Sequence, residues 1–320
     1  MINSLDDISA LLRGTKLEAS TEVELDIPGS SNCAFAIKVN CENSIRAWNL
    51  LRSLVDETER YPVLAGEGAF GSLNWIEYLN ERELFSRLNF YSELYDSEDK
   101  NCSPEAIIAR YKRINLEQEL EQRQQRESYF SLDEAINIGI ECTSANFGIA
   151  PSREAISTSF QSHLGNITNS VVVEIEDWLF DWKRQYVAPE LALAPPDLEY
   201  LYLDWYEPKD TLDYTLVLLP TANSWEALAY IHWFGAESSE VTIALLQSWY
   251  ERFKAELVAH DGLNLLFNVH RQPSTPQEAF QLAVEHEAFT GDTLHLPGIS
   301  IRDHARALLH INRWCLLSSP

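Results

Sequence analysis

Basic residues are scarce in this sequence. Its 320 residues include 24 Lys and Arg against 49 Asp and Glu, which gives a formal net charge of -25. A chain with this charge repels the phosphates of nucleic acids and the head groups of anionic lipids. We therefore expect neither a nucleic-acid nor a membrane partner. A basic protein partner fits the charge, although solubility alone also explains an acidic surface.

Cysteines and long apolar runs are scarce as well. The five Cys are odd in number and form no CxxC pair, which favours free thiols in a reducing compartment over a disulfide framework. No apolar run approaches the about 18 residues that would span a bilayer. Asp6 and Asp7 interrupt the apolar residues near the N-terminus, so we expect no secretory signal. These absences predict a cytoplasmic location.

Motifs of catalysis and cofactor binding are missing, with one weak exception. The sequence has no HExxH, no GxSxG and no cysteine beside a histidine. Residues 66–71, GEGAFG, match the pattern GxGxxG. Neither the lysine strand, HRD and DFG motifs of a kinase nor the second parallel strand of a dinucleotide-binding fold follows, and Glu67 would repel a phosphate. We expect no nucleotide, no metal and no other cofactor.

The densest polar group consists of His286, Glu287, Asp292 and His295. Histidines beside carboxylates can supply a general base with its orienting acid, or metal ligands. Ordinary polar residues at the end of a helix are the favoured interpretation, since no nucleophile or oxyanion loop accompanies them.

The chain is both aromatic and acidic between residues 170 and 251. This stretch holds most of the tryptophans and 15 acidic against three basic side chains. Within it, SWEALAYIHWFG is aromatic without a clean period, and such residues anchor interfaces and ligand pockets. The predicted binding residues are Trp225, Tyr230, Trp233, Phe234 and Glu237. We expect Glu226, Glu237 and Glu240 to steer a basic partner, whereas Trp249 lies on an apolar helical stripe and is predicted to be core.

Local patterns predict an α+β protein. EVELDI and AFAIKV alternate around a turn and predict an N-terminal β-hairpin that is followed by helices. YTLVLL predicts a central strand, and AELVAH and LNLLFNV around Asp261-Gly262 predict a second hairpin in a small mixed sheet flanked by helices. Ser131 and Thr275 begin capping boxes at the starts of two helices.

The Pro-rich stretch 188–197 predicts a domain boundary, because its three prolines interrupt any helical or strand period. We therefore expect an N-terminal domain over 1–187, helix-rich in its second half, and a C-terminal α+β domain over 198–320.

The last third of the chain resembles a bacterial family catalogued as domain of unknown function 4253. The resemblance covers about residues 214–314 and rests on motifs that are moderately specific in combination. These are LVLLPT, Trp249-Tyr250 leading through Phe253 to Ala255–Val258, His270–Pro273, Glu278-Ala279, Leu282-Ala283, Glu285 and Gly291-Asp292. After the aromatic segment the family usually has an Asn and a Cys-Pro, where this chain reads FGAESSEV. The resemblance does not indicate an activity.

Two functions remain open. The first is a protein-binding or regulatory module for a basic partner, favoured by the acidic aromatic segment and the missing catalytic constellation. The alternative is a small-molecule enzyme or ligand sensor with a site near His286 and Asp292.

Overall fold

The structure is a computed structural model that describes most of the chain. The described residues are 2, 4–27, 29–39, 43–66, 103–124, 129–147, 152–164, 169–186, 193–194, 214–231, 238–260, 264–290, 292–295 and 299–317. The chain divides into two compact units, each assembled from separate segments. Unit 1 comprises Met1–Leu116, Glu199–Arg271 and Asn312–Pro320, and unit 2 comprises Glu117–Leu198 and Gln272–Ile311.

Helices and strands alternate along the chain without a simple repeat. In chain order the helices are α1 (Leu5–Leu12), α2 (Ser44–Arg52), α3 (Val55–Thr58), α4 (Pro104–Tyr111), α5 (Leu116–Gln124), α6 (Leu132–Phe147), α7 (Arg153–Leu164), α8 (Val172–Tyr186), a 3-10 turn (Ser224–Glu226), α9 (Ala227–Tyr230), α10 (Ser239–Phe253), α11 (Pro276–Phe289), α12 (Asp292–His295) and α13 (Ile301–Leu308). The strands are β1 (Glu22–Asp26), β2 (Cys33–Val39), β3 (Tyr61–Gly66), β4 (Tyr129–Ser131), β5 (Asn169–Val171), β6 (Tyr214–Leu219), β7 (Ala255–His260), β8 (Asn264–Val269) and β9 (Arg313–Leu317).

Unit 1 is built on a seven-stranded sheet with the strand order β1-β2-β6-β3-β7-β8-β9. Neighbouring strands are antiparallel except β3 and β7, which are parallel. The predicted hairpins β1-β2 and β7-β8 are confirmed, and so is the central strand, because residues 215–219 of β6 are all buried. The predicted α+β class is therefore confirmed.

Aromatic side chains fill the core between the sheet and α10. Trp249 and Phe253 of α10 meet Trp314 of β9 edge to face, with ring centroids 5.9 and 5.7 Å apart. Phe267 of β8 packs against Trp249 at 6.1 Å. Edge-to-face contacts of this kind add to the free energy of burial of the rings. The prediction that Trp249 is a core residue is confirmed.

Unit 2 packs helices around a two-stranded antiparallel ribbon of β4 and β5. Its core centres on Trp178 of α8, whose ring meets Phe160 of α7 edge to face at 5.4 Å and lies 5.4 Å from Trp182. In both predicted capping boxes, the side chain of the N-cap residue accepts a hydrogen bond from the backbone N–H three positions later. Ser131 Oγ accepts from the Glu134 N–H at 3.3 Å, and Thr275 Oγ1 accepts from the Glu278 N–H at 3.1 Å.

The two compact units divide the chain differently from the predicted N-terminal and C-terminal domains. A junction between the units does fall at Leu198/Glu199, beside the Pro-rich stretch. The units are nevertheless interleaved, because β6 pairs with β2 on one side and β3 on the other, and both come from the N-terminal third. Pairing between strands that lie so far apart in sequence leaves no local signal. Most of the stretch 188–197, and GEGAFG beyond Gly66, lie outside the described residues.

In the ranges that the structure describes, no helix combines the length and apolarity needed to cross a membrane.

The interleaving predicts that fragment 198–320 will not fold alone. In this fragment β6 has lost both neighbours, and β7 has lost β3. We expect no cooperative urea transition for the fragment by circular dichroism, and recovery of the transition when fragment 1–197 is co-expressed with it. Cooperative unfolding of 198–320 by itself would reinstate the predicted two-domain boundary.

A second prediction concerns Gly139 in α6. A Cβ atom at this position would lie 2.6 Å from Cζ3 and 2.9 Å from Cη2 of Trp178. Gly139→Ala should therefore destabilise the protein by about 1–3 kcal/mol through overpacking, although the same change in an open helix stabilises by about 1 kcal/mol. Urea denaturation measures the change. As a control, adding Trp178→Leu should remove the penalty of the alanine, and an unchanged penalty would exclude the ring as its cause.

Candidate functional site

The predicted binding segment follows β6, an interior strand of the sheet of unit 1. Of its five predicted residues the structure describes Trp225 and Tyr230, whereas Trp233, Phe234 and Glu237 lie outside the described residues. Trp225 lies in the 3-10 turn and is half-buried, and Tyr230 in α9 is buried.

A chain of hydrogen bonds holds Trp225 in place. Its Nε1 donates to the hydroxyl of Tyr111 at 3.1 Å, and that hydroxyl donates to Oε1 of Glu226 at 3.0 Å. Oγ1 of Thr221 donates to the other carboxylate oxygen at 2.8 Å. Both oxygens of Glu226 are therefore occupied inside the protein, and this residue is 7% exposed. The expectation that Glu226 steers a partner is wrong, because the carboxylate is a buried acceptor.

Tyr111 and Tyr230 both stay protonated at physiological pH. Burial raises the pKa of Tyr111 to about 12, the charges of Glu226 and Glu251 add to the rise, and the Trp225 N–H opposes it. Burial also raises the pKa of Tyr230 to about 12, with the charges of Glu105 and Glu226 acting in the same direction. Tyr230 donates its hydroxyl to the Pro220 carbonyl at 3.2 Å. Tyr230 is therefore buried in the core of unit 1 and has an internal hydrogen-bond partner.

Trp225 contacts an aromatic residue that the sequence analysis did not name as a binding residue. Its ring centroid lies 4.7 Å from that of Tyr250, at an interplanar angle of 47°, and both residues are half-buried. The ammonium of Lys254 lies 4.7 Å from the Tyr250 ring centroid. The signal was available, because Tyr250 follows the core residue Trp249 by one position and must point about 100° away from it. We call Trp225 and Tyr250 the aromatic platform.

Two acidic side chains of α10, Glu240 and Glu251, differ in their hydrogen-bond partners and in their exposure. Glu240 accepts from Arg110 at 2.6 Å and from Ser238 Oγ at 2.9 Å. Burial alone would raise the pKa of Glu240, but its backbone, Arg110 and Ser238 hydrogen bonds outweigh burial and lower it. Glu251, by contrast, is exposed and accepts from Gln247 at 3.1 Å. Glu240 is thus paired with the arginine Arg110, whereas the carboxylate of Glu251 is exposed to solvent.

A second polar group in unit 1 joins Arg52, Glu256 and His270. One oxygen of the buried Glu256 carboxylate accepts from the Arg52 guanidinium, and the other lies 3.3 Å from Nε2 of His270. The His270 side chain is 55% exposed, against 7% for that of Glu256. A buried carboxylate therefore orients an imidazole that faces solvent. Sequence reasoning did not assign a role to His270, although the register that pairs Glu256 with Asn268 places the two side chains close together.

The alternative polar site in unit 2 takes a different form from the predicted one. His286 is fully buried, and its Nδ1 lies 2.9 Å from Nε2 of His304, which is also buried. Glu287 is half-buried, while Asp292 and His295 lie in α12 with side chains outside the description. His304 comes from α13, 18 residues away, and nothing in the sequence linked it to His286. Within the described residues no group of three or more His, Cys, Asp or Glu side chains could hold a metal ion.

The buried histidine pair predicts acid sensitivity. Burial lowers the pKa of His304 to about 3, whereas an unfolded histidine has a pKa of about 6.5. Above pH about 6.5 both states are neutral and stability is unaffected. Below it the unfolded state binds a proton that the folded state does not bind until about pH 3, so the free energy of unfolding falls with decreasing pH.

We expect the urea midpoint to fall between about pH 7 and pH 5, and to fall less in the His304→Gln variant, which cannot titrate. An NMR titration of the ring protons provides the direct check. Protonation of His304 near its ordinary pKa in the folded protein would contradict the prediction.

Comparison with known protein families gives a match in the C-terminal third of the chain. No curated protein and no solved structure matches the chain. The family match runs through β6–β9 of unit 1 and α11–α13 of unit 2, and it includes Trp225, Tyr250, Glu256, His270 and His286. It confirms the resemblance on which the sequence analysis relied: residues 215–317, the C-terminal third of the chain, match the family described as Domain of unknown function (DUF4253).

Proposed function

We propose that this protein is a binding or regulatory module for a basic protein partner, and that the partner contacts the aromatic platform. One observation carries the proposal. Trp225 and Tyr250 form a half-buried pair of tilted rings in contact, and the Trp225–Tyr111–Glu226 hydrogen bonds hold the indole in place.

A fixed aromatic pair is suited to binding because little rotamer freedom remains to be lost on association. Aromatic residues of this kind dominate the free energy of many interfaces. The platform also attracts cations, since the face of Tyr250 already carries the ammonium of Lys254 at 4.7 Å. Contacts of a cation with an aromatic face contribute about 0.5–1 kcal/mol at exposed sites and more when desolvated.

The charge distribution supports a basic partner over a nucleic acid. Several arginines are engaged by internal carboxylates, among them Arg52, Arg110 and Arg302. The acids exceed the bases and give the net charge of -25. This excess determines the electrostatic field around the protein. That field accelerates association with cationic surfaces and slows the approach of phosphates. We also propose a cytoplasmic location, supported by five cysteines without a CxxC pair.

The alternative, a small-molecule enzyme or ligand sensor, has a better candidate at His270 than at His286. His286 is buried against His304, whereas His270 is exposed and oriented by Glu256. A solvent-facing imidazole with a carboxylate behind it has the arrangement of a general base. Among the residues that the structure describes, no nucleophile or oxyanion donor is identified beside His270, so binding remains the first proposal.

Titration calorimetry with a decalysine peptide tests the platform. Trp225→Ala should weaken binding by about tenfold or more, since truncating an interface anchor costs about 2 kcal/mol. Trp225→Phe keeps the ring and should retain most of the affinity. The melting temperature of Trp225→Ala should stay close to that of the parent protein, as expected for a half-buried residue.

Matched charge variants separate the platform from net charge. Glu251→Gln removes an exposed acid next to the platform, and Glu134→Gln removes an exposed acid in unit 2. The first change should weaken peptide binding more than the second, and the difference should shrink at high salt. The proposal would be contradicted if the two glutamine variants weakened binding equally and Trp225→Ala had no effect. In that case the peptide would bind by non-specific charge attraction and not at the aromatic platform.

A further inference from the structure

Unit 1 contains a cavity of about 670 Å³, whose lining residues all lie between Gly14 and Leu50. It lies between the loop after α1, strand β2 and the first turns of α2, and no residue of the aromatic platform lines it. Pockets for small molecules span about 300–1,000 Å³. The cavity therefore has room for an organic ligand and is larger than an inorganic anion requires.

The charge of the cavity is opposite to that of the protein. Lys16, Lys38 and Arg46 line it, and none of its described lining residues is acidic. The three cations come from different elements, the loop after α1, β2 and α2. Two carboxylates are close in sequence. Glu18 accepts at 3.0 Å from the N–H of Gly14, which lines the cavity, so this carboxylate lies beside it and offsets part of its positive charge, whereas Glu22 accepts from the Ser9 hydroxyl at 2.8 Å. In a chain with two acids for each base, such a site favours a negatively charged ligand.

The start of α2 adds to this preference. Its first turn holds no acidic residue and does hold Arg46, and the side chain of Asn43 does not cap it. A cation in the first turn of a helix opposes the helix dipole. An anion in the cavity would offset this repulsion and interact with the peptide dipoles at the helix start.

The cavity also has an apolar part. Leu17, Val39 and Ala47 line it, and each is less than 7% exposed. Cations alone would suit a free inorganic ion, whereas cations beside apolar side chains suit an anion that carries an organic group. We propose that this cavity binds a phosphorylated small molecule, with the phosphate between Lys16, Lys38 and Arg46 and the organic group against Leu17, Val39 and Ala47.

A phosphate monoester matches the three cations better than a single carboxylate does. It carries about -1.5 to -2 charges at pH 7 and three strong acceptor oxygens. Hydrogen bonds between charged donors and phosphate oxygens are also stronger than neutral ones. The proposed ligand site is independent of the aromatic platform, so the failure of one proposal leaves the other intact.

Calorimetry on the full chain tests the proposal with three phosphate esters: adenosine monophosphate, glucose 6-phosphate and phenyl phosphate. Their dephosphorylated counterparts, inorganic phosphate and citrate are the reference ligands. We expect at least one ester to bind at least tenfold more tightly than its counterpart, inorganic phosphate and citrate. Arg46→Gln should weaken that binding by about tenfold, as expected for the loss of one charge-assisted hydrogen bond. Arg46 is exposed, so the variant should fold normally.

Arg113→Gln is the matched control, because it removes an exposed arginine of unit 1 that does not line the cavity. This variant should bind the ester like the parent protein. The proposal is overturned if no ester binds, if a counterpart or citrate binds as tightly as its best ester, or if Arg46→Gln and Arg113→Gln have the same effect. Binding of inorganic phosphate as tight as that of every ester would also overturn it, since the organic group would then contribute nothing.

Discussion

The pairing of β6 with β2 and β3 is the contact on which the rest of unit 1 depends. β6 is buried along residues 215–219 and has a strand on each side. Each unpaired backbone group in such a position would cost free energy comparable to a lost hydrogen bond. The pairing joins the N-terminal hairpin, through β3, to the strands β7–β9. It also fixes the position at which the chain leaves β6 to form the turn that carries Trp225.

The sequence was informative wherever a pattern is local. Alternation identified the hairpin β1-β2, and two apolar runs around Asp261-Gly262 identified the hairpin β7-β8. The Pro276 start with its Thr275 cap identified α11. Helical periodicity also identified Trp249 as a core residue, and the structure buries it. These features depend on neighbours within a few residues, and local physical chemistry determines them.

The candidate site could be predicted only in part, because its contacts are long-range. Tyr111 reaches Glu226 across 115 positions, and Arg52 reaches Glu256 across 204. Composition alone made Glu226 an exposed acid, although the fold uses it as a buried acceptor for two hydroxyl groups. Tyr230 was likewise counted among the contact residues because the aromatic run has no period, and its burial follows from packing that periodicity does not encode. Buried polar residues of this kind are the ones whose environment a single sequence describes least well.

The interleaved order of segments has a consequence for synthesis on the ribosome. β3 ends at residue 66 and its neighbour β6 begins at residue 214, so almost 150 residues must be added before the pair can form. At about 5–20 residues per second, β3 waits roughly 7 to 30 s for β6, and β2, which is made earlier, waits longer. Throughout that interval the nascent chain exposes apolar strand edges that can pair wrongly. Unit 1 is therefore a domain whose folding begins late in translation, and molecular chaperones that cover exposed strands would be most useful before β6 leaves the exit tunnel.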